Sequence, residues 1–406
     1  MKKSILLVVI LSVLLTFAFG ANLKVWTVYK EPSAAYQALA EDITSFEEET
    51  GISVELVSVP DQTDMNQKMQ LSAPAGMGPD LIATMPHDII GKWAHQGLLM
   101  NLDDYESDLD PFFESTLQAV TYQGHSYGFP LSVESVALVY NKDLVPEAPG
   151  TFDDVVRIIK EMQENDMYGL VFPAAEPYHM YGIISGFGGY IFDWKNNEYD
   201  IENIGMNNEG AFVAINYLNS FFDYGYFPEA MMDRSTQHGF STGTFEEGQA
   251  ALQINGPWVT ANLENLGINY GVSVIPKLPG GSYPKPFLGV QFVGINNFTK
   301  NKEAAVELAK YLTNMENMKD FALKTQLTPT REDVLNSEDI QSNDMISAWA
   351  EQASLGSPMP NIPEMSNVWS AWSDALQIIY SDKEPTRDVL DELELMIKEK
   401  IEMMNQ

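Results

Sequence analysis

The sequence predicts an α/β protein. Strand-like and helical segments alternate along the whole chain, and the first three segments read β-α-β, which is how a parallel sheet begins. The chain has no internal repeat and no low-complexity linker. Its 406 residues are enough for two or more domains of ordinary size. Such a chain forms two lobes if it crosses between them more than once, which periodicity alone does not show.

The opening β-α-β unit is defined by its apolar spacing and by one terminator. Residues 23–28 predict a strand, and residues 52–59 alternate as a second one. Between them, residues 33–50 place apolar side chains at helical spacing. The helix should stop at Gly51, because glycine readily adopts the left-handed conformation of a helix C-cap.

The later elements follow from the same two periodicities. Further strands are expected at residues 81–83, 136–140, 169–172, 250–254 and 270–275. Further helices are expected at residues 67–72, 111–122, 211–222 and 304–312, and at the C-terminus, where Val389, Leu390, Leu393, Ile397 and Ile401 share one face. Residues 151–154, before an apolar-periodic run to Met162, and residues 244–247 have the spacing of capping boxes. The Pro- and Gly-rich residues 276–286 predict a connector.

One predicted strand ends directly before a large aromatic residue. The apolar run over residues 250–254 is broken at Gly256 and Pro257, and Trp258 follows at once. Trp258 should therefore lie at the end of a strand rather than within the core. Because open α/β sheets bind ligands beyond the carboxyl ends of their strands, Trp258 is a candidate wall of a binding site.

The composition argues against several classes of partner and cofactor. The net charge of −34 disfavours nucleic acid and anionic membranes, since both repel an acidic surface. The five histidines lack metal-ligand spacing and the chain has no cysteine, so no metal site is expected. No phosphate-binding loop is present, and the glycine-rich residues 185–189 lack dinucleotide-binding spacing, so no cofactor is expected.

The N-terminus has the layout of a secretory signal peptide over residues 1–20. Lys2 and Lys3 precede an apolar run at residues 5–19, and small residues surround a cleavage position after Gly20. The mature protein is therefore expected in the periplasm, with a retained anchor as the alternative. The run holds no cysteine for a lipid anchor, and no later stretch approaches the roughly 20 apolar residues that cross a membrane.

The segment Gly124-His125-Ser126-Tyr127-Gly128 matches the nucleophile pattern of α/β hydrolases. That motif requires a strand before it and a helix after it. Pro130 disfavours a helical conformation at Phe129, so a turn between two strands is the better interpretation.

Aromatic residues beside carboxylates indicate a carbohydrate site. Tyr178 lies two residues after Glu176, Glu134 precedes a predicted strand, and Trp369 and Trp372 follow a Pro-rich segment. Flat rings cover the apolar faces of pyranoses, and carboxylates accept hydrogen bonds from their hydroxyl groups. The alternative is that these aromatic side chains pack in the core, which is their commoner fate.

At these residues the sequence resembles the maltose/maltodextrin-binding proteins, the periplasmic receptors of ABC importers. The likeness extends over nearly the whole mature chain, and its segments in order are Gly78-Pro79-Asp80, Pro86-His87-Asp88 and residues 97–99, 139–144, 176–178, 188–190, 254–258, 269–272, 284–289, 294–296 and 359–366. Any one segment is a weak signal, but their order along one chain is specific.

The resemblance implies a two-lobe periplasmic-binding-protein fold with a ligand cleft between the lobes. Three hinge crossings are expected near residues 134–135, 287–288 and 331–332. The N-terminal lobe would comprise residues 21–134 and 288–331, and the C-terminal lobe residues 135–287 and 332–406. By the same analogy, the cleft closes on an α-glucoside oligosaccharide. The closed monomer then docks on the membrane permease subunits of an ABC importer.

The resemblance also assigns ligand-binding residues and implies that the protein is not an enzyme. The aromatic platform falls on Tyr178, Trp258 and Trp369, and the acids that bind hydroxyl groups fall on Asp88, Glu134 and Glu176. A family lysine could correspond to Lys30, although an insertion blurs the alignment there.

Three polar or aromatic contacts of the family are replaced in this sequence. A tryptophan becomes Met85, and two arginines become Ile89 and Ser373. The preferred sugar and its chain length therefore stay open. Trp372, one helical turn past Trp369, could supply new stacking, but core packing is the expected role.

Two other functions remain as alternatives. A glycoside hydrolase could use Glu134 and Glu176 as its carboxylate pair, although nothing in the sequence places them around one glycosidic bond. A receptor for peptides or amino acids needs an arginine for the carboxylate of its ligand. No candidate arginine lies beside the aromatic residues in the sequence.

Overall fold

Helices and strands alternate along the chain, which confirms the predicted α/β class. The computed structural model describes residues 22–195, 198–382, 384 and 386–404, so the predicted signal peptide lies outside the described residues. The helices are α1 (Ala34–Thr50), α2 (Gln62–Ser72), α3 (Ile90–His95), α4 (Glu114–Ala119), α5 (Phe152–Gln163), α6 (Pro177–Gly186), α7 (Glu209–Asp223), α8 (Gln237–Glu246), α9 (Thr260–Asn265), α10 (Lys302–Leu312), α11 (Met315–Thr325), α12 (Glu332–Leu335), α13 (Glu338–Gln341), α14 (Asp344–Ser354), α15 (Trp369–Gln377) and α16 (Thr386–Met404). The strands are β1 (Asn22–Thr27), β2 (Ser53–Ser58), β3 (Leu81–Thr84), β4 (Thr121–Tyr122), β5 (His125–Ser126), β6 (Phe129–Glu134), β7 (Ala137–Asn141), β8 (Tyr168–Val171), β9 (Phe192–Lys195), β10 (Glu198–Ile204), β11 (Ala250–Asn255), β12 (Tyr270–Ser273), β13 (Phe287–Ile295), β14 (Thr328–Pro329) and β15 (Ser357–Pro358).

The first sheet contains the predicted β-α-β unit. β1 pairs in parallel with β2 and with β3, and the strand order is β14-β6-β13-β3-β1-β2, with β15 on β13. Ser33 caps the N-terminus of α1, and the helix ends at Gly51, which has the left-handed φ of 73°. The opening unit therefore forms as its apolar spacing and its terminator predict.

The second sheet has the order β12-β7-β11-β8. Its central strand β11 pairs in parallel with β8 and antiparallel with β7. β11 ends at Asn255, so Trp258 lies just past the end of this strand, as predicted.

Each sheet has its own buried core. Side chains between Leu23 and Leu131, joined by others between Phe292 and Ile346, pack around the first sheet, which we call the first lobe. Side chains between Val136 and Phe287, joined by others from Trp349 onward, pack around the second sheet, which we call the second lobe. The chain passes from the first sheet to the second between β6 and β7, and it returns at β13.

The side chains that follow residue 331 divide between the two cores. Val334, Ile340 and Ile346 pack in the first lobe. Trp349 lies in the same helix as Ile346, α14, but packs in the second lobe. The predicted lobe boundaries, including a third crossing at residues 331–332, stay a prediction.

Two local predictions are wrong, because surrounding structure outweighs the local pattern. Residues 244–247 do not begin a helix, since α8 starts upstream at Gln237 and ends at Glu246. The helix expected over residues 111–122 is reduced to α4, and Thr121–Tyr122 pairs instead with His125–Ser126.

The other local motifs take the predicted conformations. Thr151 and Asp154 form the expected capping box at the start of α5. Gln123 and Gly124, with φ of 51° and 80°, form the turn between β4 and β5, so the glycines of the hydrolase-like motif belong to a hairpin. Within the described part of the chain, no helix combines the length and the apolar character needed to span a bilayer.

Candidate functional site

A cavity of about 670 Å³ is lined by residues of both lobes. Six of the seven predicted ligand-binding residues line it: Asp88, Glu134, Glu176, Tyr178, Trp258 and Trp369. Lys30 is exposed and is not among the lining residues. The fold therefore brings together side chains that are up to 281 positions apart in the chain, as for Asp88 and Trp369. Their role in binding stays a prediction.

Two of the three aromatic rings of the cavity, those of Tyr178 and Trp369, share one buried support. The rings of Tyr178 and Trp258 lie 6.1 Å apart at 50°, and Trp258 is 45% exposed. Phe287 packs behind both Tyr178 and Trp369, at centroid distances of 6.1 Å and 5.8 Å. Tyr181 stacks on Phe287 in turn, at 3.6 Å. This layered packing limits the orientations of the Tyr178 and Trp369 rings.

Trp372 lies behind this platform and not in the cavity. It is 1% exposed, and its ring meets the edge of Tyr181 at 6.2 Å. The expected core role of Trp372 is thereby confirmed.

Glu176 is held as an ionised acceptor at the start of α6. Its side chain accepts a hydrogen bond from the backbone N–H of His179, 2.9 Å away, and Glu176 Oε2 lies 2.6 Å from His179 Nδ1. Burial raises the pKa of Glu176, but the hydrogen bonds and charge of His179 outweigh it, so the pKa lies below its usual value. Glu176 therefore offers a carboxylate whose orientation is set by its neighbour.

Glu134 ends β6 at the point where the chain leaves the first sheet. Its Oε2 accepts a hydrogen bond from Gln291 Nε2 at 3.1 Å. Burial raises the pKa of Glu134 to about 7, against the lowering effect of this hydrogen bond. The backbone oxygen of Glu134 also accepts a hydrogen bond from the Tyr178 hydroxyl at 3.3 Å, which joins the platform to the strand.

Asp88 makes a direct contact across the cavity. The indole Nε1–H of Trp369, in the second lobe, donates to Asp88 Oδ2, in the first lobe, at 3.2 Å. Burial raises the pKa of Asp88 to about 6, although the indole hydrogen bond lowers it. The two lobes therefore approach each other closely at this edge of the cavity.

Several residues for which no sequence pattern predicted a binding role line the same cavity, namely Gln62, Thr63, Arg234, Gln237, His238 and Gln291. Arg234 corrects the expectation that no arginine accompanies the aromatic residues. It lies far from them in sequence, so no local pattern could reveal it. Arg234 forms an ion pair with Asp374, so its charge is already matched by a carboxylate.

The three replaced family positions have different environments. Met85 and Ile89 are buried in the first lobe and are not among the cavity-lining residues. Ser373 does line the cavity, and its hydroxyl donates to the backbone oxygen of Ala175 at 2.7 Å. Among the described residues, no group of three His, Cys, Asp or Glu side chains is arranged to hold a metal ion.

One residue of the cavity lining from the C-terminal region, Met359, is hydrogen-bonded to His87 of the first lobe. The backbone oxygen of Met359, which lines the cavity, lies 3.0 Å from His87 Nε2. The backbone N–H of Val290 donates to His87 Nδ1 at 3.0 Å, so Nε2 carries the proton and donates to Met359. Burial lowers the pKa of His87 to about 4, which keeps the ring neutral at pH 7.

Comparisons with known proteins identify the family of this chain. Residues 42–348 match the bacterial extracellular solute-binding protein family. The maltodextrin-binding protein MdxE of Bacillus subtilis (strain 168) is 34% identical over 385 residues, which cover 93% of this chain and 90% of the relative. The galactooligosaccharide-binding protein of the same strain is 32% identical over 376 residues, covering 92% of this chain and 88% of the relative.

A solved structure shares the whole architecture. The Thermus thermophilus maltotriose binding protein bound with maltotriose superposes with a TM-score of 0.85 at 29% identity, covering 93% of this chain and 100% of that chain. The predicted two-lobe periplasmic-binding-protein fold and the resemblance to maltodextrin-binding proteins are thereby confirmed. This chain belongs to the bacterial extracellular solute-binding protein family.

Proposed function

We propose that this protein is an extracytoplasmic receptor that binds maltodextrin-type α-glucosides and delivers them, chemically unchanged, to an ABC importer. One observation carries the proposal: a cavity between two lobes joins three aromatic rings to three carboxyl groups. Relatives of similar length are named for maltodextrin and for galactooligosaccharide, which supports an oligosaccharide as the ligand.

The free energy expected from stacking on the rings is too small for micromolar binding, so hydrogen bonds to the carboxyl groups are needed as well. If each ring covers about 50 Å² of sugar C–H surface, at ~25 cal/mol/Å², each contributes roughly 1 kcal/mol and the platform ~3–4 kcal/mol. Micromolar binding needs about 8 kcal/mol. Hydrogen bonds to Asp88, Glu134 and Glu176 in a closed cavity would supply the remainder.

The lobes would have to close around a ligand, because the aromatic rings and Asp88 belong to different lobes. Tyr178 packs on the core of the second lobe and Trp258 follows β11 of the second sheet, whereas Asp88 belongs to the first lobe, so only a closed form presents both to one ligand. A sugar would dock on the aromatic lobe, and closure would add the acid of the other lobe. The closed monomer would then dock on the permease subunits, after cleavage of the signal peptide near Gly20 and release into the periplasm.

Binding can be tested by tryptophan fluorescence and calorimetry on the mature protein. Maltose, maltotriose and maltotetraose are the test ligands, a galactooligosaccharide is the competing class, and arabinose and a dipeptide are controls. We expect saturable binding of the α-glucosides alone. Saturable binding of the galactooligosaccharide alone would replace the proposed ligand, and calorimetric silence with every sugar would contradict the receptor.

One observation favours a second candidate, a glycoside hydrolase. The pKa of Glu134 is raised to about 7 while that of Glu176 is lowered, and a general acid and its partner carboxylate in a glycosidase differ in this direction. Against this candidate, Glu176 Oε2 is already occupied by His179. Incubation with maltotetraose decides: glucose release that is lost in Glu134→Gln would support the hydrolase, and an intact tetrasaccharide would exclude it.

A further inference from the structure

Gln291 lies on β13, and only the Nε2 half of its side-chain amide forms a hydrogen bond among the described residues. It lies opposite Ser132 of β6, lines the cavity and is 6% exposed. Its Nε2 donates to Glu134 Oε2 at 3.1 Å. Its Oε1 is buried and has no hydrogen-bond partner among the described residues.

Burying an acceptor without a donor destabilises the folded state, so most buried acceptors in proteins have a hydrogen-bond partner. Rotating the amide would turn Oε1 toward Glu134 and break the hydrogen bond that Nε2 donates to its carboxylate. Ser132 does not supply the donor either, since its own Oγ is also buried and unpartnered within the described structure. Gln291 lines the cavity, so a ligand bound there can supply the donor.

The aromatic platform reaches the same strand: a Cβ added at Gly289 would lie 3.1 Å from the Tyr178 hydroxyl, and Gly289 and Gln291, two positions apart on β13, point to the same face. The Tyr178 hydroxyl donates to the backbone oxygen of Glu134, and Glu134 is the residue that holds the Gln291 amide. Tyr178 and Gln291 line the same cavity, so a pyranose ring covering Tyr178 can reach Gln291 with the hydroxyl groups at its edge. A sugar hydroxyl group can donate a hydrogen bond to Gln291 Oε1, while Nε2 of the same amide already donates to Glu134.

We propose that Gln291 is a specificity-determining residue, whose Oε1 accepts a hydrogen bond from one hydroxyl group of the sugar ring nearest the hinge. Glu134 acts as its positioning residue by fixing the orientation of the amide. The inference rests on the proposed function, since it concerns the same cavity and the same class of ligand.

The test compares wild type with Gln291→Met, which keeps a similar volume but removes the amide. Calorimetry is run with maltotriose and a series of its monodeoxy analogues, and exposed Gln96→Met serves as the control. We expect one analogue to bind wild type about tenfold more weakly than maltotriose. Gln291→Met should bind maltotriose about tenfold more weakly and should no longer distinguish that analogue from maltotriose.

Failure of the inference differs from failure of the proposed function. If wild type binds maltotriose and Gln291→Met binds it equally well, or keeps every monodeoxy penalty, the inference is overturned and the receptor stands. If wild type binds only a galactooligosaccharide, the same comparison is made with that sugar, and equal affinity again overturns the inference. If wild type binds no sugar, both are overturned.

A structural measurement decides the matter if Gln291→Met does not fold. In a crystal structure of wild type with its sugar, we expect a ligand hydroxyl oxygen about 2.7–3.2 Å from Gln291 Oε1. A water molecule alone at Oε1 would overturn the inference.

Discussion

Trp258 owes its exposed position to the two residues before it. Gly256 and Pro257 end β11, and a Cβ at position 256 would lie 2.2 Å from the indole, so the glycine also leaves room for the ring. The indole therefore stands 45% exposed in the cavity rather than packed in a core. Exposure of so large a ring suits contact with the apolar face of a ligand.

We expect Trp258→Ala to bind maltotriose about fivefold more weakly, because the loss of about 50 Å² of apolar contact removes roughly 1 kcal/mol. Calorimetry measures the change. Trp194→Ala is the matched control, since Trp194 is 42% exposed and is not among the residues that line this cavity. Equal losses in the two variants would contradict a specific role for Trp258.

Glu134 makes a pH-dependent contribution to stability whose sign follows from its burial. Its pKa rises from 4.5 to about 7 on folding, so the folded state holds the proton more tightly than the unfolded state. Its contribution to the free energy of unfolding is therefore fully present below about pH 4.5 and is lost as the pH rises through about 7.

Replacing Glu134 by Gln removes this titration. Urea unfolding at about pH 5 and about pH 8 should show a smaller fall in the free energy of unfolding for Glu134→Gln than for wild type. Asp42 and Asp88, with pKa values raised by burial to about 7 and about 6, add a dependence of the same sign, and His87, with a pKa lowered by burial to about 4, adds one of the opposite sign. These contributions are common to both proteins, so the difference between the two profiles reports Glu134. Parallel profiles would contradict the assignment.

At the level of elements, α3 and the segment that precedes α15 depend on one glycine. The Gly91 N–H donates to the backbone oxygen of Asn361 at 3.0 Å, and a Cβ at position 91 would lie 2.2 Å from that oxygen. Asn361 Nδ2 in turn donates to the backbone oxygens of Gln118, Ala119 and Thr121. A side chain at position 91 must therefore displace a segment that is tied to the first lobe.

We expect Gly91→Ala to lower the free energy of unfolding by about 1–3 kcal/mol, as is typical of overpacking. Gly239→Ala is the matched control within α8, because nothing lies within 4 Å of its added Cβ. That variant should gain about 0.5–1 kcal/mol from the better helix propensity of alanine. Urea unfolding compares the two, and destabilisation of both to the same extent would mean that the contact with Asn361 is not the cause.

At the scale of the whole molecule, we treat closure as an equilibrium between an open and a closed form. A ligand raises the closed fraction only by its differential affinity for that form. Small-angle scattering should therefore show a smaller radius of gyration with saturating maltotriose and no change with arabinose. An unchanged radius at a concentration where calorimetry shows saturation would contradict hinge closure.

Local features of this chain were predictable because they depend on neighbouring residues. The five apolar positions predicted for the C-terminal helix are all buried in α16. The position of Trp258 at a strand end followed from Gly256 and Pro257. Residues 244–247 show the limit: their capping-box spacing is real, yet they form the last residues and the C-cap of α8 instead of starting a helix.

The site was predictable to a smaller extent. Trp369 was a candidate by residue type, but Asp88 was assigned only through a resemblance, and the two meet across 281 positions of the chain. Arg234 and Gln291 carry no local signal at all, yet both line the cavity. Periodicity and turn chemistry act over a few residues, so sequence was sufficient for the elements. The cavity depends on how strands from distant parts of the chain pair and on how close the two lobes come, and those contacts exist only in the folded chain.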